Sequence, residues 1–149
     1  MTIRHVNTGK CPKCEEIKNR YPGFDQDMWT WFKLLQASHP EAHISCAGRD
    51  EHEQNILFGR GASKAKWGQS AHNYNAALDL FVILPGSTDI YPVAWFNNVL
   101  APLIPHFIQW YGAPGSKFFE LPHVEKRQWR DQVIMGKLTL VNSQPKVIV

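Results

Sequence analysis

Long apolar runs are missing from this sequence, and their absence excludes a membrane-spanning helix. No segment approaches the roughly 18 consecutive apolar residues that such a helix needs. The first residues, Met1 to Val6, also lack the apolar core of a secretory signal peptide. We therefore expect no membrane insertion, no signal peptide and synthesis in the cytoplasm.

Cysteine is scarce, with three residues, and the odd count argues against a disulfide framework. Cys11 and Cys14 form a Cys-x-x-Cys pair, which serves in other proteins as half of a zinc site or as a redox motif. No strand precedes the pair as it would in a thioredoxin-like motif. Cys46 is the third cysteine, and His5 or His39 are candidates to complete a metal site. We expect reduced, ordinary thiols, with a small N-terminal zinc knuckle as the alternative.

Internal repeats and low-complexity segments are also absent, so we expect a single domain, residues 1–149. The hydrophobic share of 44% is sufficient for one core. The net charge is +3 with neutral histidine, but the basic residues are scattered rather than aligned in a stripe. That distribution argues against nucleic acid as a partner.

Two histidines and a carboxylate, His72, Asp79 and His123, stand out from this background. These are ligand types that zinc accepts, and three protein ligands leave one position for water. Asp79 lies within the apolar run 76–84, where an unpaired carboxylate is costly and a bound cation removes the cost. The trio therefore indicates a metal site of the hydrolytic type.

A zinc hydrolase also needs a group that takes the proton of the attacking water. Glu120, three residues before His123, is the candidate for this base. An odd offset puts two strand residues on opposite faces, so the pairing requires Pro122 to interrupt the strand. Glu125 is a rival, because an offset of two places it on the same face as His123.

The pattern Ser70-x-His72-x-x-Asn75-x-Ala77-x-Asp79 resembles the Ser-x-His-x-x-Gly-x-Ala-x-Asp signature of the zinc D-alanyl-D-alanine carboxypeptidase family. The dipeptides at 72–73 and 122–123 are similar to the L-alanyl-D-glutamate peptidase branch, which includes many phage endolysins. Residues 43–61 are similar to the family's strand-Gly-Arg segment and the helix that follows. The resemblance covers about residues 43–83 and 107–130, and residues 1–42 match no motif.

The resemblance implies roles for six residues. Zinc is expected at His72, Asp79 and His123, with Glu120 as general base. Arg49 is expected to assist the oxyanion or to anchor a substrate carboxylate, and Ser70 to hold substrate. A guanidinium suits the first role because it stays charged and offers a planar fork of donors.

The chain departs from the family pattern at three positions. Asn75 replaces the usual Gly, and Asn is one of the few residues with a side chain that readily adopts positive φ. Gly48 stands where an aromatic residue often precedes the arginine. Glu120 stands where many endolysin relatives have Asp.

The coarse pattern predicts an α+β fold with a small antiparallel sheet that carries the zinc site and is flanked by helices, as in D-Ala-D-Ala peptidase and hedgehog-like folds. Apolar residues at helical spacing predict a helix over 27–38, and Pro102 and Pro105 divide the segment 91–111 into two short helices. The other predicted elements are strands over 43–47, 76–84 and 118–125, helices over 50–58 and 126–135, a loop over 59–69, and a tail over 137–149 that is an edge strand or unstructured.

These expectations combine into a zinc metallopeptidase that cleaves the peptide stem of bacterial peptidoglycan, at the L-alanyl-D-glutamate bond. The alternatives are a D-alanyl-D-alanine carboxypeptidase and a non-catalytic, zinc-dependent module that binds the cell wall. The positive charge favours approach to an anionic wall. We expect a monomer that acts on the wall after release from the cytoplasm, which is the host cytoplasm if the chain is phage-encoded. The ligand types do not distinguish zinc from other divalent metals, since nitrogen and oxygen ligands accept several.

Overall fold

The computed structural model describes residues 3–113, 115–116 and 120–141. Four strands form one antiparallel sheet in the order β1-β2-β4-β3. The strands are β1 (Ala42–Cys46), β2 (Ala77–Val82), β3 (Ile108–Tyr111) and β4 (Glu120–Lys126). The α-helices of the described ranges are α1 (Pro12–Asn19), α2 (Gln26–Ser38), α3 (Glu51–Gly59), α4 (Val93–Trp95) and α5 (Trp129–Ile134). The predicted α+β class, with a small antiparallel sheet flanked by helices, is confirmed.

The two helices with the clearest sequence signals begin at their capping residues. The Asp25 carboxylate accepts a hydrogen bond from the Met28 backbone N–H, which starts α2 one residue before the predicted position. Asp50 and Glu53 form a reciprocal capping box that starts α3. Such caps contribute about 1 kcal/mol each, because they satisfy backbone donors that the helix leaves unpaired.

One face of the sheet carries the main core. Leu78, Leu80 and Val82 alternate along β2 and are fully buried together with Met28 and Phe32 of α2. Each such side chain contributes about 1.5–3 kcal/mol by leaving water. Because strand residues alternate between faces, Asp79 and Phe81 project from the opposite face. The core therefore fixes the orientation of β2 and with it the direction of the Asp79 carboxylate.

Several predicted elements differ from the structure. Segment 93–103 is one continuous helical stretch rather than two helices: α4 runs into a π-helix (Phe96–Leu100) and a 3₁₀ turn (Ala101–Leu103). Pro102 lies in the first turn of that last piece, where a missing N–H has little cost. Helix α5 is shorter than the predicted helix over 126–135, and α1 and β3 were not predicted.

The described residues end at Val141, so most of the predicted tail element lies outside them. Residues 117–119, the start of the predicted last strand, lie outside them as well. Among the described helices, none has the length and apolar character required to cross a membrane.

Candidate metal centre

A row of three side chains crosses the face of the sheet opposite the main core. Asp79 in β2 is directly opposite His123 in β4 on one side and Cys46 in β1 on the other. Directly paired residues of antiparallel strands project to the same face, with Cβ atoms about 4.5–5.5 Å apart. The register of the sheet thus brings together residues that are far apart in the chain.

His72 reaches the row from a 3₁₀ turn (Ala71–Tyr74) just before β2. The Ser70 hydroxyl accepts a hydrogen bond from the His72 backbone N–H at 3.2 Å and so caps this turn. The turn ends at Asn75, whose φ of 56° and ψ of 34° are left-handed. Asn75 therefore adopts the positive φ that asparagine tolerates better than most residues with a side chain. Because Ser70 accepts through its oxygen, its own proton is left to donate, and substrate binding stays a prediction.

The Asp79 carboxylate is the meeting point of the predicted ligands. Its Oδ1 lies 3.1 Å from His72 Nε2 and 3.2 Å from His123 Nδ1. Nitrogen and oxygen ligands of a tetrahedral zinc are separated by about 3.4 Å when the bonds are about 2.0–2.2 Å. Both imidazoles are buried. The structure thus brings each histidine to a ligand-like separation from Asp79.

Each histidine has a second contact that fixes which nitrogen faces Asp79. The Nδ1 atom of His72 lies 2.6 Å from the Ala47 carbonyl oxygen and donates to it, which leaves Nε2 to face Asp79. His123 Nε2 donates to Glu125 at 2.8 Å, which leaves Nδ1. Metal-binding histidines are oriented in this way by carbonyl or carboxylate acceptors.

Glu125, the rival candidate for the general base, has both carboxylate oxygens in hydrogen bonds. Its Oε1 accepts from His123, and its Oε2 accepts from the Trp129 indole N–H at 3.0 Å. With both oxygens engaged, the carboxylate orients the His123 ring. Sequence spacing identified the shared strand face but not this hydrogen bond, because a side-chain orientation depends on packing against α5.

Positive charge on the two imidazoles stabilises the Asp79 carboxylate that lies between them. Burial acts to raise the pKa of Asp79, but His72 and His123 hold it well below its ordinary value. Burial acts to lower the pKa of each histidine, but the hydrogen bonds that His123 donates to Asp79 and Glu125 raise the pKa of His123 to about 9. Asp79 likewise raises the pKa of His72 well above its ordinary value. A divalent cation supplies the same positive charge and displaces the protons, so the donor set fits zinc.

Cys46 offers a second set of ligands at the same place. Ligand atoms of Cys46, His72 and Asp79 lie within 4.8 Å of one another. The Cys46 sulfur, however, lies 3.7 Å from His72 Nδ1, the nitrogen that donates to Ala47. Ligation on that side would break a 2.6 Å hydrogen bond, whereas Nε2 is free for a metal shared with Asp79 and His123. We therefore favour the His72–Asp79–His123 set.

Arg49 lies at the edge of the centre and is held there by a buried amide. Its Nη2 is 3.6 Å from Asp79 Oδ2, and its Nη1 donates to Gln54 Oε1 at 3.1 Å. The same Gln54 oxygen accepts from Asn73, one residue after His72. Gln54 thus joins Arg49 to the turn Ala71–Tyr74 that carries His72, which we call the ligand turn. Sequence reasoning missed it, because nothing local marks a helical glutamine whose partner is 19 positions away.

Glu120 lies at the exposed start of β4. Trp110 of β3 is opposite Val124, but the next residue, Tyr111, is opposite Glu120, so residues 121–123 bulge out of the β3 ladder. The Trp110 indole N–H donates to the Leu121 carbonyl within the bulge. Strand β4 itself is continuous through Pro122, so the irregularity is a bulge in its pairing with β3. The pairing of Glu120 with His123 and the role of Glu120 as base stay predictions.

Gly48 permits the close packing beside Arg49. A Cβ at this position would lie 2.5 Å from Asn75 Oδ1 and 2.9 Å from Cδ2 of the Tyr21 ring. The Tyr21 hydroxyl lies 2.7 Å from the Asp50 carboxylate, which fixes the ring. The Tyr21 ring, from the α1–α2 connection, therefore packs against Gly48, the residue before Arg49.

Gly48→Ala is expected to destabilise the protein by about 1–3 kcal/mol, because the added methyl group overpacks this contact. The free energy of unfolding from urea titrations measures the effect. Gly59→Ala is the control, since no atom lies within 4 Å of a Cβ there. Equal stability of the two variants would contradict the packing argument.

Depressions adjoin the row on both sides. One, of about 360 Å³, is lined on the β1 side by Cys46, Gly48 and Arg49, with Arg20 and Arg60 at its border. The other, of about 250 Å³, contains Glu125 and Tyr111. Asp79, His72 and His123 are among the lining residues of neither depression.

No family model and no curated protein sequence matches the chain significantly. Among solved structures, the chain is similar to the crystal structure of the L-Ala D-Glu endopeptidase ChiX from Serratia marcescens. The TM-score is 0.62 and the sequence identity 17%, and the match covers 80% of this chain and 90% of that chain. At this identity the similarity shows a shared fold.

Proposed function

We propose that the protein is a zinc-dependent peptidase that cleaves the L-alanyl-D-glutamate bond in the peptide stem of bacterial peptidoglycan. The main support is the convergence of His72 Nε2 and His123 Nδ1 on one Asp79 oxygen. A fold by itself does not define a reaction, so the site carries the argument. The fold shared with an L-Ala D-Glu endopeptidase and the signature over 70–79 support the choice of substrate.

The residues around the centre have separate tasks in this proposal. Zinc held by His72, Asp79 and His123 would supply a Lewis acid and lower the pKa of a water molecule. Glu120 accepts a proton from the attacking water and delivers it to the leaving amine. Ala47 and Glu125 keep the two imidazoles in the tautomers that leave Nε2 of His72 and Nδ1 of His123 for the metal.

Arg49 binds the substrate at the edge of the metal centre. Its guanidinium remains charged and stabilises the oxyanion or a carboxylate of the stem peptide. Its contact with Gln54 holds it in position before substrate arrives, which reduces the ordering that binding requires. Ser70 donates its free hydroxyl proton to the bound peptide.

Digestion of purified peptidoglycan tests this function. We expect zinc-loaded protein to release fragments whose new N-terminal residue is D-glutamate, identified by mass spectrometry. Chelator-treated protein and His72→Ala should release none. Free D-alanine would instead identify a carboxypeptidase, and protein bound to intact wall would identify a non-catalytic binding module.

A further inference from the structure

A second cluster of metal-ligand residues lies at the opposite edge of β1. It consists of His5, Cys11, Cys14 and His43, and we call it the N-terminal cluster. One ligand atom of each residue lies within 4.8 Å of those of the other three. Cys11, Cys14 and His43 are buried, and His5 is partly buried. The cluster shares no residue with the centre around Asp79.

The separations within the cluster match those of a tetrahedral zinc site. His5 Nδ1 lies 3.5 Å from the sulfur of Cys11 and 3.5 Å from that of Cys14. His43 Nδ1 lies 3.6 Å from the Cys14 sulfur. Zinc with Zn–S bonds of about 2.3 Å and Zn–N bonds of about 2.0–2.1 Å has sulfur–nitrogen edges of about 3.6 Å. These three separations agree with this edge.

Outer contacts already orient the donor atoms. His43 Nε2 donates to the Asn7 amide oxygen at 2.6 Å, which leaves Nδ1 to face the cysteines. The Asn7 amide nitrogen in turn donates to the Ile83 carbonyl at 2.7 Å. Metal-binding histidines have such partners on the ring nitrogen that does not bind the metal.

The Cys14 sulfur also has an orienting shell. It accepts from the Ile44 backbone N–H at 3.4 Å and from the Gln36 amide at 3.6 Å. These two donors fix the position of the Cys14 sulfur within the cluster. The Ile44 donor lies on β1, at the edge of the sheet, so the sulfur also covers an edge that would otherwise be unpaired.

We propose that the N-terminal cluster binds a structural Zn²⁺ ion through the two cysteine sulfurs and the two histidine Nδ1 atoms. Two thiolates and two imidazoles in a closed tetrahedral set are typical of structural zinc, and four protein ligands leave no position for water. The ion fastens the segment before α1, through His5, to β1, through His43. This proposal does not depend on the peptidase activity.

Cobalt substitution of the intact protein tests the proposal. We expect Co²⁺-loaded protein to show tetrahedral d–d bands together with a thiolate-to-cobalt charge-transfer band. The His72–Asp79–His123 set contains no sulfur and gives no such band. Cys14→Ser should lose the band, and Cys46→Ser, the matched control, should keep it. Absence of the band in the wild type, or its loss in Cys46→Ser with retention in Cys14→Ser, would overturn the proposal.

A second measurement needs no variant, which matters if Cys14→Ser does not fold. Zinc-loaded wild-type protein is titrated with an organomercurial, and released zinc is followed with a colorimetric chelator. We expect one zinc ion per chain to be released as Cys11 and Cys14 react, while reaction of Cys46 alone releases none and the metal at Asp79 stays bound. Modification of all three thiols without zinc release, or a Cys11–Cys14 disulfide in freshly purified protein, would refute the site.

Discussion

Glu120→Gln should keep the fold and the metal but lower the turnover of stem peptide by about 10²–10⁴-fold, the usual loss for a general base. The substitution removes the proton acceptor and preserves the shape of the side chain. Glu120 is exposed at the start of β4 and is not one of the three proposed ligands, so its replacement leaves the ligand set intact. Steady-state kinetics at saturating zinc, with the metal content measured in the same samples, give the result.

Glu125→Gln is the matched comparison for this prediction. It weakens the acceptor of the His123 N–H and is expected to lower metal affinity by about 10–100-fold. At saturating zinc most of its turnover should return. If Glu125→Gln keeps its metal and loses turnover as severely as expected of Glu120→Gln, the base is Glu125 and the assignment of Glu120 is wrong.

Asp79→Asn should abolish metal binding at the centre and reduce hydrolysis to background. The carboxylate supplies the negative charge that both His72 and His123 contact, and asparagine preserves its shape without the charge. Loss of the metal removes several kcal/mol of transition-state stabilisation, which is about 10³-fold or more in rate. Elemental analysis and the digestion assay measure the two effects.

An independent readout of Asp79→Asn is the titration of His123 in metal-free protein. The hydrogen bonds that His123 donates to Asp79 and Glu125, acting against burial, place the pKa of His123 at about 9. Without the Asp79 charge this pKa should fall, and nuclear magnetic resonance of the imidazole protons follows the change. Asp27→Asn, at an exposed position in the first turn of α2, is the control. An Asp79→Asn protein with wild-type metal content would exclude Asp79 as a ligand.

The local features of the site were readable from the sequence because their causes are local. A positive φ at Asn75 and a carboxylate inside the apolar run 76–84 both depend on residues within a few positions. The signature over 70–79 also paired His72 with Asp79, and the structure places their ligand atoms 3.1 Å apart.

The structure also decided between alternatives that the Cys-x-x-Cys pair left open. Of the proposed partners, His5 lies beside the two cysteines, while His39 lies 3.5 Å from Glu41 and Cys46 belongs to the row with Asp79. His43, which sequence reasoning had read only as part of a strand, completes the cluster. Strand pairing and the packing of α1 against β1 place it there, and the spacing of cysteines contains no information on either.

The sequence by itself determined the α+β class, the helices that became α2 and α3, and the candidate trio His72, Asp79 and His123, because periodicity and donor chemistry are properties of short segments. Only the tertiary structure decided that Glu125 orients His123, that Gln54 joins Arg49 to the ligand turn, and that His5 and His43 meet Cys11 and Cys14. The physical reason is that these contacts depend on sheet register and side-chain packing, which are set by the burial of the whole core rather than by any one segment.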